Sequence, residues 1–134
     1  MKKLLLPLLC GAFVAGAMLW LGTPQAQAIK QFKDQFEDKY IKPDSQDAKE
    51  KALAEAVAEA KCNVCHEGKS KKNRNVYGKA LAELLDRKVD KSDVEKIQKA
   101  LDTVAAKKSN PDAADAPTFG DLIKDGKLPG GTPE

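Results

Sequence analysis

The chain has 134 residues, 23 of them basic and 20 acidic, for a formal net charge of +3. At that length it is a single small domain, and so mild a basic excess excludes nucleic acid as its partner. Three cysteines and one histidine are too few for a disulfide framework, and without Cys10 of the N-terminal segment only three of these ligands remain, one short of a four-ligand zinc cage.

The first 28 residues have the parts of a bacterial secretory signal. Lys2 and Lys3 precede an apolar run over 4–21, Pro24 breaks it, and Ala26-Gln27-Ala28 forms the small-x-small cleavage site. The alternative is an uncleaved anchor, because the run just reaches the ~18 residues that span a bilayer. Pro7, Gly11, Gly16 and the cleavage site favour removal, and Cys10, preceded by Leu9, lacks the small neighbour of a lipoprotein cysteine. The expected product is a periplasmic protein with a domain over 29–128 and a frayed tail over 129–134. Taking Lys2 and Lys3 from the 23 basic residues leaves 21 against 20 acidic ones, a net charge of +1. A core built from the remaining residues is marginal and would gain from a large apolar cofactor.

Within the domain, Ile29, Phe32, Phe36 and Tyr40 recur at intervals of three and four, which predicts an amphipathic helix over 29–41. Pro43 ends it. Asp44 or Ser45 is expected to cap an alanine-rich helix over 45–61, with Leu53, Val57, Ala60 and Val64 on one face. That helix runs straight into Cys62-Asn63-Val64-Cys65-His66, which holds the only histidine and both cysteines of the mature chain.

C-x-x-C-H is the spacing of c-type haem attachment. Two thiols add across the haem vinyl groups as thioethers, and the adjacent imidazole reaches the iron from the same side. Cys62, Cys65 and His66 are thus the expected cofactor-binding residues, His66 the metal ligand, and one covalent haem c the cofactor. A thioredoxin-like C-x-x-C is written the same way but wants a βαβ context, and no strand pattern lies near it.

After the motif comes a polar stretch with Lys69, Lys71, Lys72 and Arg74, flanked by Lys61 and Lys79. A basic patch of this kind steers an acidic partner, here a redox protein. A helix is expected over 76–87, with Tyr77, Ala80, Leu81, Leu84 and Leu85 inward. A Ser92-x-x-Glu95 capping box opens another, reaching about 107, with Val94, Ile97, Leu101 and Val104 inward. A loop over 109–116 and a short turn capped by Thr118 and Asp121 complete an all-α bundle of about four to five helices around one covalent haem.

The motif and helix order resemble the small monohaem c-type cytochromes of the bacterial periplasm, closer to class I than to the four-helix cytochromes c′. The step Asn75-Val76-Tyr77-Gly78 is similar to an N-x-[YF]-G step that follows the motif in a subset of exported haem proteins. The resemblance implies a cytochrome c-like fold and electron transfer, and in class I a downstream methionine as sixth ligand. The only methionines here are Met1 and Met18. The alternatives left are an open site, one filled by water, a small molecule or a partner protein, the α-amine of Ile29, Lys69, Lys71 or Lys72, Tyr77, or an asparagine. Near pH 7 an α-amine costs about 1 kcal/mol to deprotonate and a lysine roughly 4 to 5. An open site would favour the second reading, haem-based binding of a diatomic gas such as NO or CO. Enzymatic chemistry is not expected, since peroxidase-like turnover wants a distal base.

The processing expectation is direct: intact-mass analysis should find a chain beginning Ile-Lys-Gln-Phe in the soluble periplasmic fraction. Uncleaved chain recovered only with membranes would support the anchor instead.

Overall fold

The computed structural model describes residues 25–133, so residues 1–24 of the expected signal lie outside the described part. Five α-helices follow one another: α1 (Gln25–Tyr40), α2 (Ala48–Ala60), α3 (Val76–Ala82), α4 (Val94–Ala105) and α5 (Phe119–Lys124). Two single 3₁₀ turns, Lys61–Val64 and Asp90–Ser92, link them, and isolated bridges pair His66 with Arg74 and Lys108 with Thr118. No strand occurs among the described residues, and the chain is a small all-α bundle. No described helix is long and apolar enough to cross a membrane.

The core is threaded by aromatic rings. Phe36 of α1 lies 4.9 Å from Tyr40 and 5.9 Å from Tyr77 of α3, whose ring meets Phe119 of α5 at 5.2 Å. Around this line pack Leu53, Val57 and Val64 from the α2 side and Ile97, Leu101 and Val104 from α4, all nearly inaccessible. The three-and-four spacing of those residues is what turns a single face of each helix inward. Gln98 of α4 reaches back to the Gln35 carbonyl at 3.1 Å, and Lys39 pairs with Asp102 at 2.9 Å, which fixes α1 along α4.

Three boundaries differ from the sequence expectation, each because a nearby side chain competes for backbone N–H groups. Asp47, not Asp44 or Ser45, caps α2 by accepting from Lys49 and Glu50, while the Ser45 hydroxyl accepts from Asp47 itself. α3 stops at Ala82 rather than 87. Past it, Asp86 accepts from Lys88 and Val89 N–H, and the Asp86 N–H donates to buried Asp90 at 2.8 Å. Asp90 also takes the Lys96 ammonium at 2.8 Å. Ser92 is drawn into the 3₁₀ turn, so Asp93 caps α4 through Lys96 N–H, and Val94 is left 53% exposed instead of inward.

At the other end the Thr118 and Asp121 capping box forms as expected. Leu128 is buried and Pro129 is among the fully buried residues, because the chain after α5 folds back onto the start of α3, where Gly130 meets the Asn75 side chain.

Leu101 is 1% exposed at the centre of α4. Leu101→Ala should cost about 2–5 kcal/mol, the range for a buried leucine whose site cannot collapse. Urea unfolding of the isolated protein measures it, and a loss well under 1 kcal/mol would remove Leu101 from the core.

Candidate functional site

The haem-type motif sits at a break in the backbone. α2 ends at Ala60, and Lys61 takes φ +52°, ψ −112°, the one left-handed non-glycine residue described. Such a conformation costs on the order of 1–3 kcal/mol in a lysine and recurs at functional sites. It turns the chain out of α2 into the 3₁₀ turn, so Val64 drops into the core while Cys62 and Cys65 stay half-buried. The Cys65 and His66 N–H groups both donate to the Cys62 carbonyl, at 3.3 and 3.1 Å.

Cys62, Cys65 and His66 line one cavity of about 210 Å³. Phe32, Val64, Leu81, Ala82 and Leu85 supply its apolar walls, and Lys30, Lys33, Lys61, Lys71, Arg74 and Arg87 surround it. Among the described residues no carboxylate lines it. Lys33 pairs with Glu37, and Lys71 donates to the Asn63 side chain at 2.9 Å. Lys30, Lys61, Arg74 and Arg87 have no acidic partner among the described residues, whereas Lys39, Lys42, Lys49, Lys96 and Lys107 do.

His66, 9% exposed, places Nδ1 at 2.9 Å from the Asn73 carbonyl. A carbonyl oxygen only accepts, so Nδ1 carries the proton and the Nε2 lone pair is the one left free. This is the arrangement that orients metal-ligating histidines. Burial pushes the Cys65 thiol up to about 12, with the nearby Cys62 adding to it. That is opposite to the depressed thiolate of a redox-active C-x-x-C. Among the described residues, no group of three or more His, Cys, Asp or Glu side chains is placed to hold a metal ion.

The structure separates the candidates for a sixth ligand. Of Lys69, Lys71 and Lys72 only Lys71 lines the cavity. Tyr77 does not line it. The ring is fully buried between Phe36 and Phe119, and desolvation, with Cys65 and Tyr40 adding, raises its phenol far above the ordinary value, the wrong direction for a tyrosinate. Ile29 falls in α1 immediately before Lys30, a cavity residue.

Three contributors to this wall were not legible as such. Lys30, Lys33 and Arg87 reach it from segments remote from the motif. Gly78, one turn into α3, faces the motif so closely that a Cβ there would lie 1.9 Å from the Cys65 carbonyl oxygen. Asn75, 6% exposed, both caps α3 and reaches the motif backbone. The only sequence signal for these last two was the Asn-Val-Tyr-Gly step itself.

In comparisons with known proteins, no family model, no curated protein and no solved structure matches this chain.

Tyr77→Phe tests the ligand assignment. Its hydroxyl is buried without a hydrogen-bond partner, so removing it should leave the visible spectrum unchanged and stability equal or up to ~1 kcal/mol higher. Loss of a charge-transfer band in the variant would instead put the phenol on a metal.

Proposed function

We propose that this protein is an exported monohaem c-type cytochrome acting in electron transfer, with Cys62 and Cys65 as thioether anchors and His66 as the axial ligand. One observation carries the reading: both cysteines and His66 line a single cavity, and the histidine is tied through Nδ1 so that Nε2 remains for a metal. The rest of the cavity suits the same group. Its apolar walls would suit an apolar macrocycle, and its cations, with no carboxylate among the described lining residues, would suit propionates. Haem bound there supplies a one-electron iron couple whose potential follows axial ligation and burial.

The chain's own residues do three things in this scheme. Phe32, Val64, Leu81 and Leu85, which line the cavity, would exclude water from a cofactor held there. The Asn73 carbonyl holds the imidazole in one tautomer and increases its basicity. Lys30, Lys61, Arg74 and Arg87 compensate anionic groups and leave a surplus that attracts an acidic redox partner. The signal sequence supports a periplasmic location.

A specific observation favours diatomic gas binding as the second reading: among the described residues no methionine, tyrosine or second histidine lines the cavity. Its remaining nitrogen donors are cationic side chains, and a lysine costs roughly 4 to 5 kcal/mol to deprotonate at neutral pH.

The purified protein should carry one haem that acid–acetone does not extract, and Cys65→Ala should change its pyridine haemochrome spectrum. Extractable haem, or an unchanged spectrum in the variant, would sink the assignment. The ferrous form is expected to bind CO rapidly. A low-spin ferrous form indifferent to CO would eliminate gas binding and leave electron transfer alone.

A further inference from the structure

The first turn of α3 closes around the motif in a way that capping a helix does not require. Asn75 Oδ1 accepts from Gly78 N–H at 2.9 Å, which is the cap. Its Nδ2 lies on the other side, 3.1 Å from the Asn63 carbonyl, 3.1 Å from that of Val64 and 3.4 Å from that of His66. The Asn75 backbone N–H donates to the carbonyl between them, that of Cys65, at 3.2 Å. Four consecutive carbonyls, from residue 63 to residue 66, therefore end on one asparagine. An amide nitrogen has two hydrogens, so its three acceptors share them.

This segment cannot satisfy those carbonyls by itself. It lies between the 3₁₀ turn and the His66 bridge and has no repeating ladder, and buried carbonyls without donors are costly. The clasp is closed from the far end of the chain. Pro129 is fully buried, and Gly130 sits so close to Asn75 that a Cβ on it would come within 2.0 Å of Nδ2 and 2.4 Å of Cγ.

We propose that Asn75 is the positioning residue of the attachment site. Its amide holds the 62–66 backbone in the shape that presents both thiols and the His66 ring to the cavity, and docking of Pro129 and Gly130 locks the amide in place. The biochemical meaning of that shape rests on the haem reading; the clasp does not.

Asn75→Asp separates the two roles. Aspartate caps a helix as well as asparagine, but it turns an oxygen toward three carbonyl oxygens where a donor stood. The test is hydrogen exchange by NMR on the full chain as isolated. In the unmodified protein the Asn75 side-chain amide protons should exchange at least ~10-fold more slowly than those of exposed Asn110, the factor for one net buried hydrogen bond. Equal rates overturn the proposal without any variant. In Asn75→Asp the Cys65 and His66 amides should exchange at least ~10-fold faster, while Ala80 and Leu101 keep their rates. Unchanged loop amides would reduce Asn75 to a cap.

Gly130→Ala provides the second arm if the aspartate variant does not fold. It removes no donor or acceptor of the clasp, but its Cβ would press on the Asn75 amide, with Oδ1 at 2.7 Å, so it should raise the same Cys65 and His66 rates, and no change there overturns the lock. A uniform rise that includes Leu101 in every variant that folds would make these residues general stability determinants and defeat the proposal. Covalent haem per chain, measured on the same samples, should fall severalfold in Asn75→Asp. Absence of haem from the unmodified protein would refute the haem reading and leave the exchange rates to judge the clasp.

Discussion

Tyr77 has no accessible surface, and its ring packs edge-on against Phe36 and Phe119. Through it three helices that are far apart in sequence, α1, α3 and α5, share one contact line. Each aromatic pair contributes about 0.5–1.5 kcal/mol beyond the area it buries. The larger consequence is geometric. Asn75 and Gly78 lie on the same turn as Tyr77, so the seat of that ring in the core also sets how α3 meets the motif. Sliding α3 toward the motif would drive Gly78 into the Cys65 carbonyl, and sliding it away would strip donors from the 63–66 carbonyls.

The electrostatics of the cavity run against stability. Six cations around one opening repel one another, and five of them lack a carboxylate among the described residues. Elsewhere the chain pairs its lysines freely, as in Lys49 with Asp125 across α2 and α5. Exposed pairs of that sort contribute only about 0–1 kcal/mol each, so their scarcity at the cavity, where among the described residues only Lys33 has one, is a matter of potential rather than of folding energy. A local positive field on a nearly neutral molecule draws anionic groups to that one place.

Small size sharpens these compromises. The left-handed Lys61 stores strain at the entrance to the motif, and the hydroxyl of Tyr77 is buried without a partner. A domain of this length has a stability of order 5–15 kcal/mol. Each such feature is a sizeable fraction of that, and a large apolar group bound in the cavity would offset it by burying further surface.

Periodicity was enough to read the helices and most of the core, because Phe36, Leu53, Val57, Ile97, Leu101 and Val104 each recur at the helical spacing that turns one face inward. The Thr118 and Asp121 box was legible for the same local reason, and the C-x-x-C-H spacing alone singled out Cys62, Cys65 and His66. Helix ends were less so: α2, α3 and α4 begin or stop where Asp47, Asp86 and Asp93 win backbone N–H groups from neighbours, a contest among several adjacent acceptors that composition does not rank. What the tertiary structure alone decided is the company the motif keeps. Lys30, Lys33 and Arg87 at the cavity, Gly130 against Asn75, and Tyr77 in the core rather than at the cavity all depend on how α1, α3 and the C-terminal segment pack against one another. Spacing along a chain encodes which face of a helix is apolar; it does not encode which other helix that face will meet.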